Sequence, residues 1–358
     1  MGSVLRRYVL PWVALLALAG CAGEAERKST TRPAVEVTLQ AHDQSGAPAD
    51  REQIRRAAEI LRERLAGLDA SGSVAEAPDA GRIVVRVDGP PSERRESVLS
   101  ILTHAAELEL FDLEGNLVTP SIDADGAFPV ATASLYDLLV GRQSPAREDD
   151  VVDWYLFDPA SKLVAGPAPT KRLLLPTGPL LDGWRILGTP PGTAVLECGI
   201  GEIVCPGVPM LNPQQDSYYL IRVDPPDVPE LDGGDLEPEG TRQDVDPSTG
   251  EPVVTMQFTA EGAKAFGELT RDVAKRGRRL ARAVGDPTIM HHFALVLDSE
   301  IKSWPTIDWR GYPNGIGGEL GAQIAGIRSV DEARGLAAVL RAGALPVQLT
   351  VVSRVTVD

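Results

Sequence analysis

Apolar and polar residues alternate from Val35 to Ala41 (VEVTLQA), the two-residue period of a strand with one wet face. The period changes over residues 50–68. There Ile54, Ala57, Ala58, Leu61, Leu65 and Leu68 fall on one helical stripe, and Arg and Glu fill the other face. A weak strand at Ser73–Ala77 and a strong one at Gly81–Asp88 (GRIVVRVD) follow, joined through a turn at Asp79-Ala80-Gly81. The spacing predicts a second helix over Glu93–Ala106, with Val98, Ile101, Leu102 and Ala105 inward, and alternation resumes over Glu107–Leu113 (ELELFDL). The order βαββαβ is the split-βαβ, or ferredoxin-like, arrangement.

From Glu114 to about Glu251 the pattern loosens. Strands are short (WYLF at 154–157, RLLL at 172–175, YYLIRV at 218–223), and residues 224–240 (DPPDVPELDGGDLEPEG) predict a surface loop, since Pro and Gly block both helix and central strand. Order returns at residue 241. Thr241–Val245 and Val253–Phe258 flank a Pro/Gly turn at 246–251, a hairpin. Thr259 caps a helix with Ala263, Phe266, Leu269, Thr270 and Val273 on its apolar face. His292–Leu297 and Ile301–Ile307 predict paired strands. Ser329-Val330-Asp331-Glu332 is a capping box for a helix burying Ala333, Leu336, Ala337 and Leu340 and stopping at Gly343, and Val347–Val357 is a last strand. The fold class expected is α+β, a ferredoxin-like base with an inserted α+β head.

The amino terminus changes the picture of where the chain resides. Arg6 and Arg7 precede an apolar run, Tyr8–Ala19, and then Leu18-Ala19-Gly20-Cys21. A basic flank, a short apolar core and small residues at a cut site describe a secretory signal, too short for the roughly 20 residues of a bilayer span. The Leu-Ala-Gly-Cys ending resembles the lipobox of bacterial lipoproteins, which implies lipid attachment at Cys21 and anchorage to the extracytoplasmic face of the cell membrane. Residues 1–20 are then a signal peptide and 21–34 a polar tether. Cys198 and Cys205 remain, spaced for a local disulfide in an exported protein or for two free buried thiols. Fifty-one acidic against 35 basic residues give a net charge of −16, which argues against nucleic acid as a partner.

The last third carries a recognisable pattern: PVVTMQFTAEGAKAFGELT (252–270), ALVLDSEIKSWPTI (294–307) and GAQIAGIRSVDEARGLAAVLRAGALPVQL (321–349). It resembles the head of the large extracytoplasmic domain of SecD, a protein-export membrane subunit. ILRERLAGLDASG (60–72) and GRIVVRVDG (81–89) resemble the base of the same domain. The resemblance implies a base over 35–114, an irregular insert or first part of the head over 115–240, a head over 241–345 and a terminal strand, 346–358, returning to the base. It implies partners as well: unfolded exported polypeptides, and translocon or SecF-type subunits. Departures accompany it. Ser299-Glu300 stand where Gly-Lys is usual, Trp304 where Ala is, and Ile327-Arg328 where Asn-Phe is. A lipobox stands in place of a first membrane helix and the chain stops before a transmembrane bundle, so the expectation is an accessory lipoprotein without its own ion-driven motor.

No motif calls for an enzyme or a cofactor. His291-His292 point to opposite faces of a strand and do not suit one metal ion. Asp244–Gly250 lacks the Gly and Glu positions of a calcium loop, and IGGELG (316–321) does not match GxGxxG. Nucleophile motifs are missing. Two clusters remain as contact candidates. Lys275, Arg276, Arg278, Arg279 and Arg282 form a basic run, read either as cations at a helix carboxyl end or as a contact for anionic lipid head groups. Trp304, Trp309 and Tyr312 are either polypeptide anchors or a satellite core. The reading is thus a polypeptide-handling export accessory. The alternatives are a structural or signalling envelope lipoprotein that keeps the fold, or small-ligand binding in 115–240.

Overall fold

The computed structural model describes residues 33–357, apart from 44, 90–91, 119–133, 144–149, 176–177, 200–204, 206–215 and 227. Cys21, the signal peptide and nearly all of the tether lie outside the described residues. No described helix is long and apolar enough to cross a membrane.

The chain folds as mixed α+β. Strands β1 (Ala34–His42), β2 (Gly72–Ala77) and β3 (Arg82–Asp88) pack against helices α1 (Arg51–Gly67) and α2 (Ser92–Thr103). Asp50 and Gln53 close a capping box at the start of α1, and the Ile54, Ala57, Ala58, Leu61 and Leu65 stripe is buried against Val35, Val37, Leu39, Ile83 and Val85. α2 ends three residues earlier than the periodicity predicts, and Ala106 takes a left-handed conformation as the chain turns away (φ 65°). The fourth strand of this antiparallel sheet is not the segment after α2. It is the chain's last strand, β17 (Gln348–Val357), giving the order β17-β1-β3-β2.

The ELELFDL segment forms β4 (Leu108–Asp112) and leaves for a second sheet. The reason lies in its residues: Leu108 and Leu110 face one core while Phe111 and Leu113 face another. A strand apolar on both faces belongs in the middle of a sheet covered on both sides, and simple alternation conceals that. Beyond it come α3 (Leu113–Asn116), α4 (Leu135–Val140), β5 (Trp154–Phe157), β6 (Leu163–Ala168), α5 (Lys171–Leu174), β7 (Arg185–Gly188), β8 (Thr193–Cys198) and β9 (Ser217–Arg222). Arg172–Leu174 of RLLL are therefore helical, with Leu175 capping the turn, and not a strand, a four-residue run being too short for its period to decide.

The remaining elements are β10 (Leu231–Asp232), β11 (Leu236–Val245), β12 (Pro252–Phe258), α6 (Ala260–Val284), β13 (His291–Leu297), β14 (Glu300–Ser303), β15 (Thr306–Ile307), β16 (Ala322–Ile324) and α7 (Val330–Ala342). The expected loop at 224–240 holds β10 and the start of β11. Pro238 is tolerated there because β11 is an edge strand with a register shift between Glu237 and Arg242. The large sheet runs β10-β4-β13-β14-β8-β9, with β15 also on β13. Phe293, Leu295 and Leu297 of β13 face α6 and α7, and Ala294 and Val296 face the opposite core. Small sheets β11-β12-β16 and β6-β5-β7 complete the described fold.

Candidate functional site

Helix α7 belongs to both halves of the molecule. Ala333, Ala337 and Leu340 lie in the core beneath α6, and Ala338 lies in the core of the first sheet. Close crossings explain its run of small residues. A Cβ on Gly335 would come 2.8 Å from Ile101 Cδ1 of α2, and one on Gly67 of α1 would come 2.9 Å from Ala338 Cβ. Ser329 caps α7 through the Glu332 amide (3.1 Å), but the reciprocal half of the expected box is displaced, with Glu332 accepting from the amide of Arg328.

At the far end of α7, one side chain binds both passages between the two halves. Arg64, fully buried, donates to the carbonyls of Leu102, His104 and Ala105 at the end of α2 and just beyond it, and to that of Gly343 after α7, at 2.5–3.2 Å. Each of these is a carbonyl left over where a helix ends, so one cation satisfies the exits of two helices. Burial draws the guanidinium down to about 10. Asp298, at the β13–β14 turn, reinforces the first passage through the Glu107 amide (2.9 Å) and the His104 ring (3.2 Å). Asp298 and Ser299 both have positive φ (52° and 66°), a conformation that Gly would adopt more readily than Ser299 does. Sequence reasoning passed over Arg64, though it left a signal: a charged residue lying on the apolar stripe of α1.

Beside this joint an open groove of about 420 Å³ runs between α2, α7 and the 324–329 loop. Ile101, Leu297, Ile324, Ile327, Leu336 and Val339 line it, and Ser97, His104, Lys302, Ser329, Asp331 and Glu332 supply polar atoms. An apolar cleft with a few polar groups is the usual form of a binding site. None of the aromatic candidates lines it. Ile327, one of the departures from the SecD pattern, does.

Trp304, Trp309 and Tyr312 do not form one surface. Trp304 packs with the core containing Ala294 and Val296, its ring 4.4 Å from that of His292. Trp309 packs on the other side of the sheet against α6, donating to Ile289 O at 2.9 Å. Tyr312 alone stands out, 52% exposed. The motif residues around them are structural too. Thr259 caps α6 through the Gly262 amide, and buried Thr270 accepts from the Ile316 amide (2.8 Å), pinning the loop that holds Trp309 and Tyr312 along the helix.

The basic run divides in the same way. Arg276 turns inward and pairs with the buried carboxylate of Asp112 at 2.5 Å, which removes it from the surface candidates. Lys275, Arg278, Arg279 and Arg282 line a shallow depression on the outer face of α6. Cys198 and Cys205 are joined by a disulfide with S–S 2.08 Å. His291 and His292 are both buried. His292 meets Glu114 (Nδ1 to Oε1, 2.5 Å), burial lowers the pKa of His291, and no metal-binding cluster occurs among the described residues.

Carboxylates gather under the joint. Burial, reinforced by Glu107, Asp153, Asp232 and Asp298, raises Glu109 to about 7. Burial, with Glu107, raises Asp153 to about 6. Glu107, Asp153 and Asp298 line a second, polar depression of about 250 Å³.

Residues 213–347 match the family described as SecDF, P1 head subdomain. The protein translocase subunit SecD of Rhodobacter capsulatus is 35% identical over 147 residues, which is 40% of this chain and 21% of that one. The SecD of Rhodothermus marinus is 26% identical over 331 residues, 86% of this chain and 47% of that one. The chain thus spans less than half the length of either relative. A solved structure described as "Structure and function of a membrane component SecDF that enhances protein export" is 21% identical, covers 89% of this chain and 98% of its own, and has a TM-score of 0.45. These matches support a SecD-family extracytoplasmic domain in this chain, with its head subdomain over residues 213–347.

Proposed function

We propose that this protein assists protein translocation on the extracytoplasmic face of the membrane, holding segments of exported polypeptide in the groove beside α7. The groove is the observation that supports this reading most. It is lined mostly by apolar side chains with a few polar groups among them, open to solvent and built on the helix that bears the SecD-like EARGLAAVLRAGALP pattern. Such a cleft receives alternate apolar side chains of an extended chain without demanding one sequence. Binding of this kind is passive: each contact resists backsliding, and none consumes energy.

The strand order β17-β1-β3-β2 with α1 and α2 supports a ferredoxin-like base, interrupted after α2 by an inserted head and closed by the last strand. The Leu-Ala-Gly-Cys sequence supports lipid attachment at Cys21, which keeps the groove near the membrane where clients emerge. Translocon or SecF-type subunits are the partners this reading calls for, with no reaction catalysed.

The test is in-cell photo-crosslinking from Ile327 and Leu336 in the groove, with Tyr312 as an outside position. The expected result is a ladder of many precursors at the groove positions, enriched while export is stalled. A single envelope protein trapped at both, or nothing beyond the Tyr312 background, overturns the reading.

A further inference from the structure

The outer face of α6 is out of keeping with the rest of the molecule. In a chain of charge −16, Lys275, Arg278, Arg279 and Arg282 project along one helical face at the spacing i, i+3, i+4 and i+7 and line one depression among themselves. Lys275 is paired with Asp272 at 2.8 Å, while Arg278, Arg279 and Arg282 have no ion-pair partner among the described residues. The helix dipole does not account for the set. Its influence fades within the last turn, which contains Arg282 alone, since α6 runs on to Val284. Nor is packing the reason, because the buried face of α6 is formed by Phe266, Leu269, Val273, Ala274, Gly277 and Ala281.

We propose that this stripe docks the protein on a bilayer surface bearing anionic phospholipid. Charge complementarity is the first argument, and it acts locally. The Debye length is about 8 Å at physiological ionic strength, so the stripe is screened from most of the chain's acidic surface but not from head groups it touches. Its form is the second. Four cations spread over two turns of one helix face suit a plane of head groups better than a single anion. The third is the apolar and aromatic company at its edges. Val284, at the end of α6, is 59% exposed, and Tyr312 is exposed on the loop after β15, which lies alongside α6 with Trp309 near Gly277 and Gly315 near Gly267. Tyrosines are favoured at the membrane–water boundary. The proposal is independent of client binding in the groove, which lies on other elements.

The experiment is co-sedimentation of the full chain with vesicles of phosphatidylcholine alone and of phosphatidylcholine mixed with phosphatidylglycerol. It compares the natural protein with K275E/R278E/R279E/R282E. The amino-terminal apolar run is common to both proteins, so the quantity read is the ratio of anionic to neutral vesicle binding. The natural protein is expected to show a ratio of about tenfold or more that collapses in high salt, and the variant to lose about tenfold of it while melting at an unchanged temperature. A variant that keeps the natural ratio overturns the proposal. So does competition by inorganic phosphate or polyglutamate at the same anion concentration as the lipid, which would make the stripe a site for a free anion or an acidic polypeptide.

Discussion

Two arginines tie regions of this molecule together by opposite means, Arg64 fully buried and Arg276 half-exposed over a buried carboxylate. At the joint between the first sheet and the head, Arg64 is surrounded by backbone carbonyls from two chain passages. Under α6, Arg276 meets a side chain, Asp112, whose main chain is in turn bound by Glu230 and Asn116 binds the same Glu230. Carbonyls do not titrate, so the first arrangement holds at any ordinary pH. The second depends on carboxylates whose burial pushes them upward: Asp112, drawn back down by Arg276, and Glu230. The joint is thus fixed by geometry and the head interior by charge state.

The largest effect is expected at the joint. Arg64→Met removes the donor for four carbonyls at once and is expected to cost about 3–5 kcal/mol in denaturant unfolding, with a deficit nearly flat in pH. Hydrogen exchange should quicken at residues 103–107 and 343–347 ahead of the rest of the chain. An equal loss spread evenly over both sheets would sink the idea that Arg64 acts on the two passages.

That side chain also marks the boundary of what the sequence reveals. The α1 stripe, the hairpin at 246–251, the caps at Thr259 and Ser329 and the strand at 347–357 were all legible, because each follows from local period and capping chemistry. The SecD-like motifs were legible as motifs, but their work was not. Gly335 is small because α2 crosses there, and Thr270 is a threonine because it accepts a loop amide. Both reasons are long-range. The same holds for the destination of β4 and for the groove, whose lining is drawn from α2, β13, β14, β16, the 325–329 segment and α7. Trp304 and Trp309, five residues apart, lie on opposite faces of one sheet, a separation that only the pairing of β14 and β15 with β13 creates.

The head interior sharpens the contrast. Arg276→Met leaves the Asp112 carboxylate buried without its cation, expected to cost about 3 kcal/mol near neutral pH. Here the deficit should vary with pH. Asp112 already stands above its ordinary value, and losing Arg276 raises it further, so protonation at low pH relieves the penalty and rising pH restores it. A deficit as flat as that of Arg64→Met would show that the pair contributes packing rather than charge.

A smaller effect tests whether the joint is also set by contact. Gly67→Val places a branched side chain where a Cβ alone would sit 2.9 Å from Ala338 Cβ, forcing α1 away from α7. About 1–3 kcal/mol is expected in thermal or denaturant unfolding, again without pH dependence. A neutral result would mean that the crossing relaxes freely and that Arg64 alone fixes it.

The smallest effect lies where the two regions meet. Glu109, on β4 just past the joint, is raised to about 7 by burial first and by Glu107, Asp153, Asp232 and Asp298 after it. Its folded value exceeds the ordinary 4.5, so the unfolded chain releases the proton sooner. Below about 4.5 both states hold it and no penalty exists. Between 4.5 and 7 stability falls as pH rises, and above 7 the full penalty remains. Glu109→Gln should therefore leave stability at about pH 4 near that of the natural protein and raise it by about 1–2 kcal/mol at about pH 8. Asp153, raised to about 6, keeps a shallower slope in the variant. Unchanged pH dependence would show that water reaches this carboxylate, and the acidic cluster would then be a solvated face rather than part of the head's charge-dependent interior.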